Sequence, residues 1–233
     1  MKWEINEVKT LEYIKNLQNQ YSNCGFRKMV YQIRKFLQYL KIDFADSIQP
    51  PKEQEYTPVR ITSEDIKKTL DYFKEHEREL QINALIHLGK DSFARAEELY
   101  QLEPQDIDLN ERKIKIIHNP EIGRHTKNKK NRVSFFTEKT AQILKKYLNF
   151  YNNGCDYPKL FNERALQDAF RNAPIRVKHL RKYASSEWSR KGGSSSVKKI
   201  LMGHSTRNDV DLQHYCNLTE SELRNVYDKI MNS

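Results

Sequence analysis

Over residues 1–49 the apolar positions recur with helical period. Met29, Ile33, Phe36, Leu37 and Leu40 stand at i, i+4, i+7, i+8 and i+11, which is one face of a helix. Arg27, Lys28, Arg34, Lys35 and Lys41 occupy the opposite face. Taken alone, that face is an ordinary solvated one. Gln49-Pro50-Pro51 then breaks the pattern, since a proline pair stops helices and stiffens a linker. The expected organisation is a short helical region 1–49, a linker 50–56 and a larger domain 57–233. Thr62-Ser63-Glu64-Asp65 opens a helix with a hydroxyl cap and an acid three residues on, and Ile66, Leu70 and Phe73 form its apolar stripe. A second helix runs through Ile82, Leu85 and Ile86, and a third begins near Arg95. Between Ile107 and Ile117 the period changes: Lys113-Ile114-Lys115-Ile116 alternates as a half-buried strand does. A partner strand, Arg132–Phe136, follows the polar turn 123–131. Helical spacing returns at Ile143, Leu144, Tyr147 and Phe150. The last helix opens with Thr219-x-x-Glu222 and carries Leu223, Val226, Tyr227 and Ile230 inward. The predicted fold is mainly α with one small antiparallel β-sheet (α+β).

Composition narrows the class. The 233 residues are 37% hydrophobic and 11% aromatic with only seven Gly and seven Pro, which excludes a disordered or collagenous chain. No apolar run approaches the roughly 18 residues of a membrane helix, so no membrane partner is expected. The opening MKWEINEVKT carries acids and no apolar stretch, unlike a signal peptide. Three cysteines (Cys24, Cys155, Cys216) lack metal-ligand spacing and fit reduced thiols, and the expected location is the cytoplasm. A net charge of +10 suits a polyanionic partner.

Four segments carry candidate chemistry: Phe93-Ala94-Arg95-Ala96-Glu97-Glu98-Leu99, His125-Thr126-Lys127-Asn128-Lys129-Lys130-Asn131-Arg132, Lys178-His179-Leu180-Arg181, and Leu201-Met202-Gly203-His204-Ser205 followed by Tyr215. Singly, each is weak: Arg95 reads as a surface arginine, and any one of thirteen tyrosines reads as structural. In this order and context they resemble the catalytic domain of the tyrosine site-specific recombinases, the phage-integrase family. That family's pattern is an Arg in a G-L-R-x-x-E-L box, a hairpin Lys, H-x-x-R, L-G-H-S and a Tyr near the C-terminus. The resemblance covers about residues 57–233.

The resemblance implies a site in which Arg95 and Arg181 hold the non-bridging oxygens of a DNA phosphate with permanently charged forks. Tyr215 is the implied nucleophile, and Lys127, with Lys129 and Lys130 as runners-up, the acid that protonates the leaving 5′ oxygen. His204 donates a hydrogen bond to the phosphate. The 3′-phosphotyrosine keeps the bond energy, so neither metal nor ATP is implied. Lys178 stands where most members have His, a K-x-x-R variant similar to the archaeal fusellovirus-type branch; at neutral pH a lysine there supplies charge rather than a base. His179 is one position too late for that role. The eleven residues from His204 to Tyr215 are a little longer than usual, which leaves delivery in cis or in trans open. Tyr183 and Tyr227 are lesser candidates.

The implied partner is double-stranded DNA at attachment sites, bound by a homo-oligomer, a tetramer on two sites, that integrates or excises a viral or plasmid genome. Lys129, Lys130 and Arg132 are expected on the DNA, together with Arg27, Lys28, Arg34 and Lys35 of the short N-terminal region, whose alternative role is subunit contact. Competing readings are a type IB topoisomerase-like enzyme, a non-catalytic DNA-binding protein with a recombinase fold, and an RNA-binding domain, the last disfavoured for want of an RNP or KH signature. The charge itself is local. Residues 112–132 carry eight Lys/Arg and one Glu, residues 171–207 ten Lys/Arg and one Glu, and the remainder is net negative.

Overall fold

The computed structural model describes residues 5–53, 55, 57, 59–152, 158–204 and 218–232. They form two compact units, Met1–Val59 and Arg60–Ser233. In the first, α1 (Glu7–Gln18) is capped by Asn6, and α2 (Asn23–Tyr39) by Ser22. A 3-10 turn, Asp43–Ser47, folds back onto α2. The small core is Val30, Leu37, Ala45 and Ile48, with Phe26, Ile33 and Ile14 packed against it. The predicted stripe is therefore corrected: Phe36 and Leu40 are exposed, and the buried face runs through Val30, Ile33 and Leu37. The physical reason is the cover. What packs on α2 is the 3-10 turn and α1, and they reach Val30 and Leu37 but leave the neighbouring Phe36–Leu40 edge open.

The second unit begins with α3 (Ser63–Tyr72), whose capping box is formed as expected: Thr62 Oγ1 accepts from the Asp65 N–H, and Asp65 accepts from the Thr62 N–H. Next come α4 (Glu79–Asp91) and the short α5 (Ala96–Tyr100). The sheet has three antiparallel strands in the order β1 (Ile107–Asp108), β2 (Lys113–Ile116) and β3 (Arg132–Phe135), with Ile114 opposite Ser134 and Lys115 opposite Val133. Then follow α6 (Glu138–Asn152), α7 (Glu163–Ala169), α8 (Val177–Arg190), α9 (Ser195–Leu201) and α10 (Glu220–Met231). On α6 the stripe ends on Tyr151; Phe150, expected inside, is exposed.

Two cores hold this unit. The larger gathers α3, α4, α6 and α8 around Leu85, Leu88, Leu144, Phe161 and Leu180. Gly89 lets α4 and α8 approach at backbone distance, since a Cβ there would lie 2.7 Å from Leu180 Cδ1. The second core, Phe93, Phe135, Ala184, Trp188, Val197, Leu201, Leu223 and Tyr227, seats α10 against α8, α9 and β3. No helix among the described residues is long and apolar enough to cross a membrane.

Candidate active site

The site forms where α5, β3, α8 and the end of α9 converge on one carboxylate. Glu98, on the first turn of α5, is buried. Its Oε1 accepts from Arg95 Nη1 at 2.9 Å and Arg132 Nη1 at 2.9 Å, and its Oε2 from Arg132 Nη2 at 2.7 Å and the Arg95 backbone N–H at 2.7 Å. Arg181 Nη1 lies 3.9 Å from the same Oε2. Burial alone would raise the Glu98 pKa. The Arg132 hydrogen bonds and charge, the Arg95 N–H and the Arg95 charge overcome it and hold the carboxyl at about 2. Three guanidiniums thus share one counter-ion.

Arg181 is fixed by two main-chain carbonyls, Phe93 O and Met202 O, each at 2.8 Å. Burial, then the charges of Arg95 and Arg132, pull its pKa down to about 10, so it stays protonated at neutral pH in a strongly electropositive place. Its Nη2 also lies 3.4 Å from His204 Nε2. A guanidinium only donates, so Nε2 accepts and the imidazole proton sits on Nδ1. Burial and then the Arg181 and Arg95 charges push the His204 pKa below its usual value, which keeps the ring neutral at pH 7.

The hairpin between β2 and β3 is tied into this cluster. Asn128 Nδ2 donates to Gly203 O, and Arg132 Nε donates to Leu201 O. Gly203 has φ 64°, and a Cβ there would meet Arg132 Cδ at 2.8 Å, so both backbone and space require glycine. A tight turn closes the tip, with the Lys130 N–H donating to Thr126 Oγ1 and the Lys129 N–H to Thr126 O. At its base the buried pair Arg124–Asp106, 2.5 Å apart, pins the loop to the segment before β1. Lys127, Lys129 and Lys130 are exposed on this anchored tip.

Residues 59–222 match the phage integrase family. The chain belongs to that family. As a tyrosine recombinase it is a DNA strand transferase. It is 27% identical over 216 residues to the tyrosine recombinase XerA of Saccharolobus solfataricus, covering 89% of this chain and 68% of that one. Its fold is similar to that of the Tn1549 transposon integrase in complex with a circular intermediate DNA (12% identity, TM-score 0.62, 94% of this chain and 83% of that one). It is also similar to the XerH recombinase bound to a palindromic difH substrate in a post-cleavage complex (16% identity, TM-score 0.54, 98% and 71%).

Of the residues expected in the site of this integrase, Arg95, Arg181 and His204 come together. Lys178 lies one turn before Arg181 on α8, exposed beside an open cavity of about 430 Å³ that Arg176 and Glu97 also line. His179 caps α8 instead, its Nδ1 accepting from the Arg176 N–H at 3.3 Å. Tyr215 lies outside the described residues. The lesser tyrosines have other partners: Tyr183 lies 3.4 Å from Ser63 Oγ, while Tyr227 is fully buried, donates to Asp91 O, and has its pKa pushed well above 10 by burial and the Asp91 charge. Arg132, expected on the DNA, is half-buried with its guanidinium engaged by Glu98. In the first unit, Arg27 pairs with Glu53 at 3.0 Å and Arg34 with Asp46 at 3.3 Å, while Lys28 and Lys35 are exposed and Lys35 lies over the Tyr31 ring.

Two contributors escaped the sequence reading. Glu98 stands in the quoted box, three residues after Arg95, and that fixed spacing was the available signal. Phe93 occupies the place of the box's Gly, yet takes φ 56°, a conformation bulky residues avoid.

Proposed function

We propose that this integrase cuts and rejoins double-stranded DNA at specific sites through a 3′-phosphotyrosyl intermediate on Tyr215, and that it integrates or excises a viral or plasmid genome as a tetramer on two sites. The observation that carries the proposal is the sharing of Glu98 by Arg95, Arg132 and Arg181 beside a neutral His204, a cluster short of negative charge within a family-matched domain. A phosphodiester supplies the missing charge. Arg95 and Arg181 neutralise the non-bridging oxygens as the phosphorus becomes five-coordinate, and the His204 Nδ1–H adds a donor. The Tyr215 hydroxyl oxygen attacks phosphorus as its proton passes to solvent water, the P–O5′ bond breaks, and Lys127 Nζ gives its proton to the departing 5′ oxygen. Rejoining reverses each step. Lys178 supplies charge near the phosphate, and Lys129, Lys130, Lys28 and Lys35 meet the flanking backbone. Arg132 acts indirectly, by holding Glu98.

The test is a pool of randomised duplexes, nicked in one strand and labelled at the 5′ end of that strand, incubated with the protein and resolved under denaturing conditions. The wild type should retain label on the protein, and Tyr215→Phe should lose it while binding DNA nearly as well. An adduct that survives in Tyr215→Phe means another nucleophile acts, and no adduct with the wild type sinks the proposal. Joining of two duplexes, rather than relaxation of a supercoil alone, separates a recombinase from a topoisomerase-like enzyme.

A further inference from the structure

The turn between α4 and α5 is held in a conformation its residues resist. Phe93, fully buried, takes φ 56°, where a bulky side chain crowds its own backbone. Such strain persists only where the surroundings over-determine it, and here they do. The three consecutive carbonyls of the turn accept side-chain hydrogen bonds from three different elements. Asp91 O accepts from the Tyr227 hydroxyl of α10 at 3.1 Å, Ser92 O from Ser134 Oγ of β3 at 2.6 Å, and Phe93 O from Arg181 Nη1 of α8 at 2.8 Å. The Phe93 ring stands edge-on to Trp188 at 5.7 Å and to Tyr227 at 6.5 Å. One residue of α10 therefore both bonds the turn and packs on its strained member, and the next carbonyl but one orients an arginine of the site.

We infer that Tyr227 and Phe93 are positioning residues: seating of α10 in the second core holds the Phe93 turn left-handed, and the Phe93 carbonyl then aims the Arg181 guanidinium at the phosphate site. Glycine would adopt this φ unaided; phenylalanine needs the clamp, so this chain's arginine geometry depends on α10 being docked. The inference rests on the role proposed for Arg181. It makes strand cleavage responsive to the helix that follows the Tyr215 segment.

Tyr227→Phe tests it with the least disturbance, because the ring remains and only the hydroxyl leaves. In the DNA-free protein, hydrogen exchange at the Ser92 and Arg95 amides, which flank Phe93 and are both hydrogen-bonded, should quicken between about three- and tenfold, the worth of one lost buried hydrogen bond, relative to amides of α6. Adduct formation in single turnover should slow by a similar factor with DNA affinity unchanged. In a Phe93→Gly background the turn needs no clamp, and adding Tyr227→Phe should slow the reaction no further. A purely structural Tyr227 would lower the melting temperature and leave local exchange and the low-temperature cleavage rate alone, which would overturn the inference. Exchange in Tyr227→Phe decides the matter even if Phe93→Gly does not fold. If the wild type forms no adduct, the proposed function fails while the exchange result still stands for or against the coupling.

Discussion

Replacing Glu98 by Gln removes the one negative charge among three guanidiniums and almost nothing else. The carboxyl is 3% exposed and accepts four hydrogen bonds of 2.7–2.9 Å from Arg95 and Arg132. An amide keeps the shape but turns an NH2 group toward a guanidinium and leaves the arginines without a counter-ion. The interval between the ordinary carboxyl value of 4.5 and about 2 gives the size of the effect. At ~1.4 kcal/mol per pH unit it is about 3 kcal/mol, in line with the cost of breaking a buried ion pair. The sign follows from a folded-state pKa below the unfolded one. The contribution is complete above pH 4.5 and is lost as pH falls toward 2. The assay is urea unfolding followed by Trp188 fluorescence, in a Trp3→Phe background, since Trp188 is buried in the second core. Glu98→Gln should lose about 3 kcal/mol at pH 7, or roughly 6–12 °C in melting temperature, and the gap should close in acid. A loss under about 1 kcal/mol at pH 7, the size of a surface ion pair, or a gap that stays constant into acid, would refute this reasoning.

The hairpin offers two more tests. Lys127→Ala should slow cleavage about 10²–10⁴-fold if Nζ is the general acid, and a DNA with sulfur in place of the bridging 5′ oxygen, which leaves without a proton, should recover most of the rate; equal loss on both substrates would make Lys127 a phosphate anchor. Gly203→Ala should destabilise by about 1–3 kcal/mol, since it adds left-handed strain to a Cβ 2.8 Å from Arg132 Cδ, and should cut adduct formation as well; a melting temperature equal to the wild type would show that the contact yields.

Local signals in the chain carried much of the fold. The capping boxes at Thr62 and Thr219 and the alternation at Lys113–Ile116 are short-range patterns, and the elements they predict are present. The stripe on α2 was misplaced because several apolar residues lie around that helix, and only the elements packed on it decide which face is covered. Arg95, Arg181 and His204 were legible as a family pattern. The Glu98–Arg132 clamp joins residues 34 apart, and a carboxylate among lysines and arginines looks in sequence like any solvated pair. Nor did the place of Arg132 in a basic run show that its guanidinium engages Glu98, since such a position says nothing of which way a side chain turns. Phe93 was hidden by its chemistry, since a phenylalanine in the turn between two helices gives no hint of a positive φ.

The close approach at Gly89 has a kinematic consequence. Leu180 and Leu99 both come within about a side-chain-free distance of that backbone, 2.7 and 3.1 Å from where a Cβ would stand, so α4, α5 and α8 form a block with no slack between them. Arg95 and Arg181 ride on that block. Any anion that enters between them therefore meets two guanidiniums whose backbones cannot shift relative to each other.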